Sequence, residues 1–171
     1  MVVLRRTGKL AGVLPLSAVT SLQSETALGD WYVNRITVDR RPLLLLVSAH
    51  GLLPILLPAR DVRSLPDRLA AIVANRLRRL GVPGPVVTAE VAAMTSVAVG
   101  QTIDRSVVGI MVDFGKSVSF HLEPGAWDET TLAFVEARLA ETPCHAGRRF
   151  EDVVFPDRKA LELLLARWGA G

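Results

Sequence analysis

The spacing of apolar and polar residues predicts strands in the first third of the chain. Aromatic and β-branched residues over Trp31–Val38 are typical of a strand. Two leucine-rich runs, 43–47 and 52–57, flank the turn-like residues 48–51 and predict a hairpin. Leucine occupies both odd-numbered and even-numbered positions of these runs. Alternate strand residues point to opposite faces of a sheet, so we expect both faces to be covered. Pro54 predicts that the second run is an edge or bulged strand.

Helical spacing is clearest between residues 64 and 81. Ser64 followed by Asp67 resembles a capping box, and Gly81 provides a C-terminal stop. Arg76 falls inside the apolar arc of this helix. We expect its side chain to reach out to solvent, because a buried Arg76 would need a carboxylate partner.

The stretch from Asp104 to residue 122 fits two patterns. Apolar residues recur at helical spacing from Val107 to Phe114, and Asp104 can cap the start. Beyond Gly115, apolar and polar residues alternate as they do in a strand. We therefore expect a helix from residue 105 through at least Phe114, and residues 115–122 remain open between helix and strand.

The remaining elements complete a fold prediction. Asp128 caps one predicted helix, and Pro156 occupies a plausible first position of another. Short strands are expected within residues 1–6 and 95–101, with a helix over 86–94. Together these elements predict an α+β fold, a small antiparallel-rich sheet covered by four to five helices, in a single globular domain spanning residues 1–171.

Composition supports a folded domain and says less about function. The chain has 171 residues, of which 50% are apolar and 22% charged, well outside the composition of disordered proteins. The single cysteine, Cys144, excludes an internal disulfide framework. No apolar run is long enough to span a membrane and no clear signal peptide is present, so we expect a cytoplasmic protein without a membrane partner.

The net charge of +3 is a weak sign of nucleic-acid binding, because most arginines have an acidic neighbour. Six arginines are the candidate phosphate contacts of an alternative nucleic-acid-associated protein, and all of them except Arg68 lack an adjacent acidic residue. These are Arg68, Arg76, Arg78, Arg79, Arg148 and Arg149.

Two sequence blocks carry a family resemblance. Residues 28–34 read LGDWYVN and residues 105–114 read RSVVGIMVDF. Together they resemble a family of small bacterial proteins known only as a domain of unknown function, in which an LGDWY-x-N block precedes an RSVLG-x-MNDF block. This chain has Asp104 where that family more often has Asn, and Val112 where Asn is common. The resemblance implies a domain that covers nearly the whole chain, and it implies no activity.

The same blocks contain the candidate binding residues. On a helix, Ser106, Gly109, Asp113 and Ser117 form a polar stripe of small residues. This stripe either contacts a partner, or Gly109 permits close helix packing while Asp113 pairs with an arginine such as Arg40. The residues from Asp30 to Asn34 either form a ligand platform or cap a turn and anchor the core. The full candidate set is Asp30, Trp31, Tyr32, Asn34, Asp39, Arg40, Arg105, Ser106 and Asp113.

Catalytic and metal templates are absent from the sequence. It contains no phosphate-binding glycine loop, no nucleophile elbow and no zinc-protease helix motif. Cys144 and His145 are adjacent, so their side chains are expected to diverge. His50 and His121 together with that pair match no zinc spacing.

These observations favour a non-enzymatic interaction or regulatory module without catalytic residues, metal or cofactor. We expect a protein partner or a second copy as its binding partner, through the surface around Trp31, Tyr32 and Asp113. The nucleic-acid-associated protein is the first alternative. A hydrolase built on Asp and Arg residues, for example a magnesium nuclease using Asp39, Asp104 and Asp113, ranks last.

Overall fold

The structure is a computed structural model that describes residues 1–19, 22–145 and 153–169. The strands in those ranges are β1 (Val2–Arg6), β2 (Trp31–Val38), β3 (Arg41–Ser48), β4 (Pro54–Pro58), β5 (Val97–Gln101), β6 (Cys144–His145) and β7 (Val153–Val154). The α-helices are α1 (Leu65–Leu80), α2 (Gly84–Ala92), α3 (Arg105–His121), α4 (Leu132–Ala140) and α5 (Pro156–Trp168).

Five strands form the main sheet in the order β4-β3-β2-β1-β5, and β6 pairs with β7 separately. The predicted α+β class is confirmed. The predicted hairpin is also present, since β3 is antiparallel to both β2 and β4. The sheet is also mixed, because β1 is parallel to β2 and to β5, while antiparallel ladders make up three of the five strand pairings in the described residues. Parallel neighbours require long crossovers, and residues 7–30 and the α1–α2 segment provide them.

Two cores lie on opposite faces of this sheet. Alternate residues of β3 point to opposite sides, so that Leu44 and Leu46 belong to one core and Leu45 and Val47 to the other. Helices α1, α2 and α5 cover the first face, and α3 and α4 cover the second. The expectation that both faces are covered is therefore confirmed, and β4 is the edge strand that Pro54 predicts.

The first long helix has the predicted extent, but its start is built differently. Gly81 ends α1 in the left-handed conformation, with φ of 86°. The Ser64 hydroxyl donates to the Asp61 carbonyl oxygen at 2.8 Å and accepts from Nε of Arg68 at 2.8 Å. It makes no capping hydrogen bond to the helix. The predicted capping box is therefore wrong, because the Ser64 side chain faces the preceding turn.

Helix α3 is continuous from Arg105 to His121, which resolves residues 115–121 as helix. Asp104 caps it as predicted by accepting from the Ser106 N–H at 2.8 Å. Val118 is buried one turn beyond Phe114, whereas Phe120 points outward with 85% exposure. The strand-like alternation in this segment is therefore a helix with one buried and one exposed side.

Candidate functional site

The two aromatic residues of the candidate set lie in the cores. As neighbours on β2, Trp31 and Tyr32 point to opposite faces and are 0% and 1% exposed. The Tyr32 hydroxyl accepts from the Asp104 N–H at 3.0 Å and so ties β2 to the start of α3. Both side chains pack inside the fold, so the part of the prediction that places these two rings on a binding surface is wrong.

The polar residues near the start of β2 are held by their own fold. The Asp30 carboxylate accepts from Nε of Arg5 at 2.8 Å and from the Ser24 hydroxyl at 2.6 Å. The Asn34 side-chain oxygen accepts from the Thr7 hydroxyl at 2.6 Å. These contacts join β1, β2 and the crossover between them, and they use the acceptors that a ligand would need.

The β2–β3 turn holds the next two candidates. Asp39 and Arg40 have φ of 50° and 62°, the paired left-handed conformation of a tight hairpin turn. The Asp39 carboxylate accepts from the Trp127 indole N–H at 2.6 Å and from the Gly125 N–H at 3.1 Å. The Arg40 side chain is exposed. In the described part of the chain Asp113 forms no ion pair, so the predicted pairing of Asp113 with Arg40 is absent.

The carboxylates of the suggested nuclease set do not meet. Asp39 follows β2, whereas Asp104 bonds to Tyr32 near the beginning of that strand. Seven extended residues, about 23 Å of backbone at about 3.3 Å per residue, separate Tyr32 from Asp39. A two-metal site needs its ions about 4 Å apart. Among residues 1–19, 22–145 and 153–169, no three His, Cys, Asp or Glu side chains are grouped to hold a metal.

The adjacent residues Cys144 and His145 form β6, which pairs with β7. Cys144 is 6% exposed, and burial, helped by the charge of Asp113, raises the pKa of its thiol to about 11. A thiol with that pKa is almost entirely protonated at neutral pH, so it lacks the thiolate that nucleophilic chemistry requires.

Two of the arginines predicted to contact phosphate form ion pairs within the protein instead. Arg76 is 3% exposed, so the expectation that it reaches solvent is wrong. The conditional prediction holds instead, because Arg76 Nε lies 3.1 Å from a carboxylate oxygen of Glu136. Arg79 pairs with the same oxygen at 2.7 Å. Arg68 and Arg78 are exposed, and Arg148 and Arg149 lie outside the described residues.

Glu136 and these two arginines form a cluster that we call the β4 cluster: Arg76, Arg79, Glu136 and the backbone of β4. The second Glu136 oxygen accepts from the Leu56 N–H at 2.9 Å, while Arg76 Nε donates to the Pro54 carbonyl at 3.1 Å. Burial raises the pKa of the Glu136 carboxyl and lowers that of the Arg76 guanidinium, and each charge opposes the shift of the other. The cluster covers a sheet edge and joins α1 to α4.

Sequence reasoning missed Glu136 and a second buried carboxylate, Glu90. Glu136 occupies the i+4 position of the apolar series that begins at Leu132, which is the signal that could have identified it. Glu90 is 0% exposed and accepts from the N–H groups of Ala27 and Leu28 and from the Trp168 indole at 2.6 Å. Both carboxylates hold elements of the fold together.

The outer side of α3 is the remaining candidate. We use the name α3 face for six of its exposed residues, Ser106, Gly109, Val112, Asp113, Lys116 and Phe120. No described atom lies within 4 Å of the position that a Cβ on Gly109 would take. The prediction that Gly109 allows close packing inside the fold is therefore wrong, since its surface is open.

Charge and apolar area occur together on this face. Val112 is 49% exposed and Phe120 85% exposed. In the described residues, the Asp113 carboxylate and the Lys116 ammonium form no side-chain hydrogen bond or ion pair, although the Asp113 charge acts on the nearby Cys144 thiol. These two residues are three positions apart and exposed, and they do not pair with each other. The α3 face therefore offers an unused anion, an unused cation and a projecting aromatic ring.

Comparison with known proteins adds a family assignment. Residues 3–159 match the family described as Domain of unknown function (DUF6933), so the chain belongs to that family, and the predicted resemblance to a family described only in those words is confirmed. No curated protein and no solved structure matches the chain. Across the described ranges, none of the helices has the length and apolar character needed to cross a membrane.

Proposed function

We propose that this member of the DUF6933 family is a non-enzymatic interaction or regulatory module that binds a protein surface through the α3 face. One observation carries the proposal. A single helix presents a glycine with open space above it, a phenylalanine that is 85% exposed, and two opposite charges that lack partners in the described structure.

These features lower the stability of the isolated fold. A glycine inside a helix costs roughly 0.5–1 kcal/mol relative to alanine. No neighbouring group in the described structure lies close enough to Gly109 to require the absence of a side chain there. An aromatic ring left in water gains none of the free energy that burial would provide. Residues that break the local rules of stability without an internal gain are expected at functional positions.

The proposal keeps part of the candidate set. Ser106 and Asp113 belong to the α3 face, and the exposed Arg105 lies at its N-terminal end. Asp30, Asn34 and Asp39 act within the fold through the hydrogen bonds described above. We further propose that residues 1–171 act as one domain, because both helix layers share a single sheet. A bacterial cytoplasmic location is proposed from the family resemblance and the single unpaired cysteine.

The nucleic-acid alternative has less support than the interaction module. Arg76 and Arg79 share the Glu136 carboxylate, so Arg76 is unavailable to a phosphate and Arg79 would have to give up its pair. The hydrolase alternative requires carboxylates to converge, and Asp39 and Asp104 lie near opposite ends of β2.

Site-specific photo-crosslinking in cells that make this protein tests the interaction module. A photo-reactive phenylalanine analogue is placed at position 120, or at Leu165 on α5 as a matched control that is 41% exposed in the other helix layer. We expect a discrete crosslinked protein product from position 120 alone, which disappears when Asp113→Lys is added. Identical products from both positions, or none from position 120, would contradict the proposal.

A further inference from the structure

We infer that the partner of the α3 face is a second copy of this chain, bound with the two α3 helices antiparallel. This inference rests on the proposed function and specifies the partner of the same surface. It follows from the order of residues along the helix and from their charges.

The relevant residues form one straight stripe. Gly109, Asp113, Lys116 and Phe120 are separated by four, three and four positions, the spacing that keeps side chains on one side of a helix. All four are exposed, and Val112 borders them. A partner helix laid along this stripe would meet them in sequence.

The stripe is complementary to the same stripe on a second α3 that runs in the opposite direction. When a second α3 is turned end to end about a point between Phe114 and Gly115, Asp113 of one copy faces Lys116 of the other, and the reverse pair forms as well. The same two-fold axis places Phe120 opposite Gly109. A single symmetry operation therefore matches both charged pairs and both ring–glycine pairs, as an interface between identical surfaces requires.

The glycine is what makes room for the ring. The space above Gly109 holds no described atom within 4 Å of a Cβ position, so a phenyl ring can approach the helix backbone there. With any larger residue at 109, the ring and the new side chain would compete for this space. The interface thus accounts for the open glycine and the exposed ring together.

The charges also disfavour a parallel pair of α3 helices in register. A parallel pair in register would place Asp113 against Asp113 and Lys116 against Lys116, which is repulsive. Any partner of this stripe must place a cation opposite Asp113 and an anion opposite Lys116. An antiparallel second copy of α3 does this with its own Lys116 and Asp113. A stable dimer usually buries about 800 Å² on each copy, more than one helix pair provides. The exposed Phe134 on neighbouring α4 adds apolar surface, and we expect a weak, concentration-dependent dimer.

Charge reversal tests the pairing in purified protein. We expect sedimentation velocity to show concentration-dependent dimers for the native chain and monomers for Asp113→Lys alone and for Lys116→Asp alone. Mixing the two variants should restore the dimer, and so should the chain that carries both substitutions. All substituted positions are exposed, so circular dichroism should show that each variant remains folded. A native chain that stays monomeric up to millimolar concentration would overturn the inference.

Disulfide trapping tests the direction, in a Cys144→Ser background. Gly109→Cys and Phe120→Cys chains should crosslink to each other when mixed, and neither should crosslink efficiently to itself. Self-crosslinking of each variant would indicate parallel helices and overturn the antiparallel dimer. If the native chain is monomeric but position 120 still photo-crosslinks to a different protein, the dimer fails and the interaction module stands. If neither product forms, both fail.

Discussion

Glu136 is 1% exposed and is held by two arginines and a backbone N–H, whereas Asp113 lies exposed on α3 without a side-chain partner in the described structure. Both carboxylates belong to the helix layer on the second face of the sheet. Glu136 accepts a hydrogen bond from the β4 backbone, whereas Asp113 is exposed to solvent. Their different surroundings show that a charged residue in an amphipathic helix can serve the fold or remain available to a partner.

The comparison also separates two energetic situations. A buried ion pair costs several kcal/mol of desolvation per ion, which is recovered only when geometry and additional hydrogen bonds are good. An exposed pair contributes about 0.2–1 kcal/mol. Substitutions in the β4 cluster should therefore change the free energy of unfolding, whereas substitutions in the α3 face should mainly change association.

The largest effect is expected for Glu136→Ala. It leaves Arg76 as an uncompensated buried charge and removes the acceptor of the Leu56 N–H, so we expect a loss of about 3–5 kcal/mol. Urea denaturation measures this free energy. Glu141→Ala is the matched control on the same helix segment, because Glu141 is exposed and its nearest arginine nitrogen is 3.9 Å away. Equal losses for the two variants would mean that the β4 cluster is not a stabilising unit.

The second buried carboxylate should show a smaller effect. Glu90 has only neutral donors, and Glu90→Gln replaces one acceptor oxygen with an amide NH₂ facing those N–H groups. We expect a loss of about 1.5–3 kcal/mol, the contribution of a hydrogen bond to a charged group. Trp168→Phe, which removes one donor at 2.6 Å, serves as the companion variant. If Glu90→Gln leaves the urea midpoint unchanged, the carboxylate does not clamp α2, α5 and residues 27–28 together.

Removing the two buried side chains of the β4 cluster, Arg76 and Glu136, sharpens the comparison. In Arg76→Met/Glu136→Leu, the desolvated charges are gone, which is often neutral or stabilising. The Leu56 N–H then lacks its acceptor, which costs about 1–3 kcal/mol. We expect these effects to offset each other and the double variant to unfold within about 1 kcal/mol of the native chain. A double variant as unstable as Glu136→Ala would show that the cluster's hydrogen bonds, rather than the unpaired charge, determine the loss.

The sequence predicts what depends on neighbouring residues and misses what depends on distant ones. The β3–β4 hairpin, the C-terminal end of α1 and the start of α3 follow from turn residues, the Gly81 stop and the Asp104 cap. The parallel pairing of β1 with β2 and β5 does not, because residues 7–30 look like an irregular loop and the strand partners are far apart in the chain. Similarly, the position of Arg76 in an apolar arc predicts that its side chain either reaches solvent or pairs with a buried carboxylate. Only the packing of α4 against β4 shows that Glu136 is that partner.

The candidate site divides in the same way. Residues 105–114 are correctly predicted as a helix that carries a polar stripe, and this depends only on helical spacing. Which element lies over Gly109 depends on the tertiary arrangement, so the sequence leaves helix packing and partner binding as alternatives. Trp31 and Tyr32 attract attention as aromatic residues beside polar ones, yet β2 is central in the sheet and both of its faces are covered.

The smallest effect on folding, and the sharpest test of the α3 face, is Gly109→Ala. Alanine has the higher helix propensity and its Cβ enters open space, so we expect the monomer to gain about 0.5–1 kcal/mol. Gly115→Ala is a matched control in the same helix, where the new Cβ would make an ordinary contact of 3.5 Å with Ile36. Both variants should raise the urea midpoint at low protein concentration, but only Gly109→Ala should weaken self-association in sedimentation. Equal association of both variants would mean that no ring occupies the space above Gly109, because the methyl group at position 109 is the one that takes up this space.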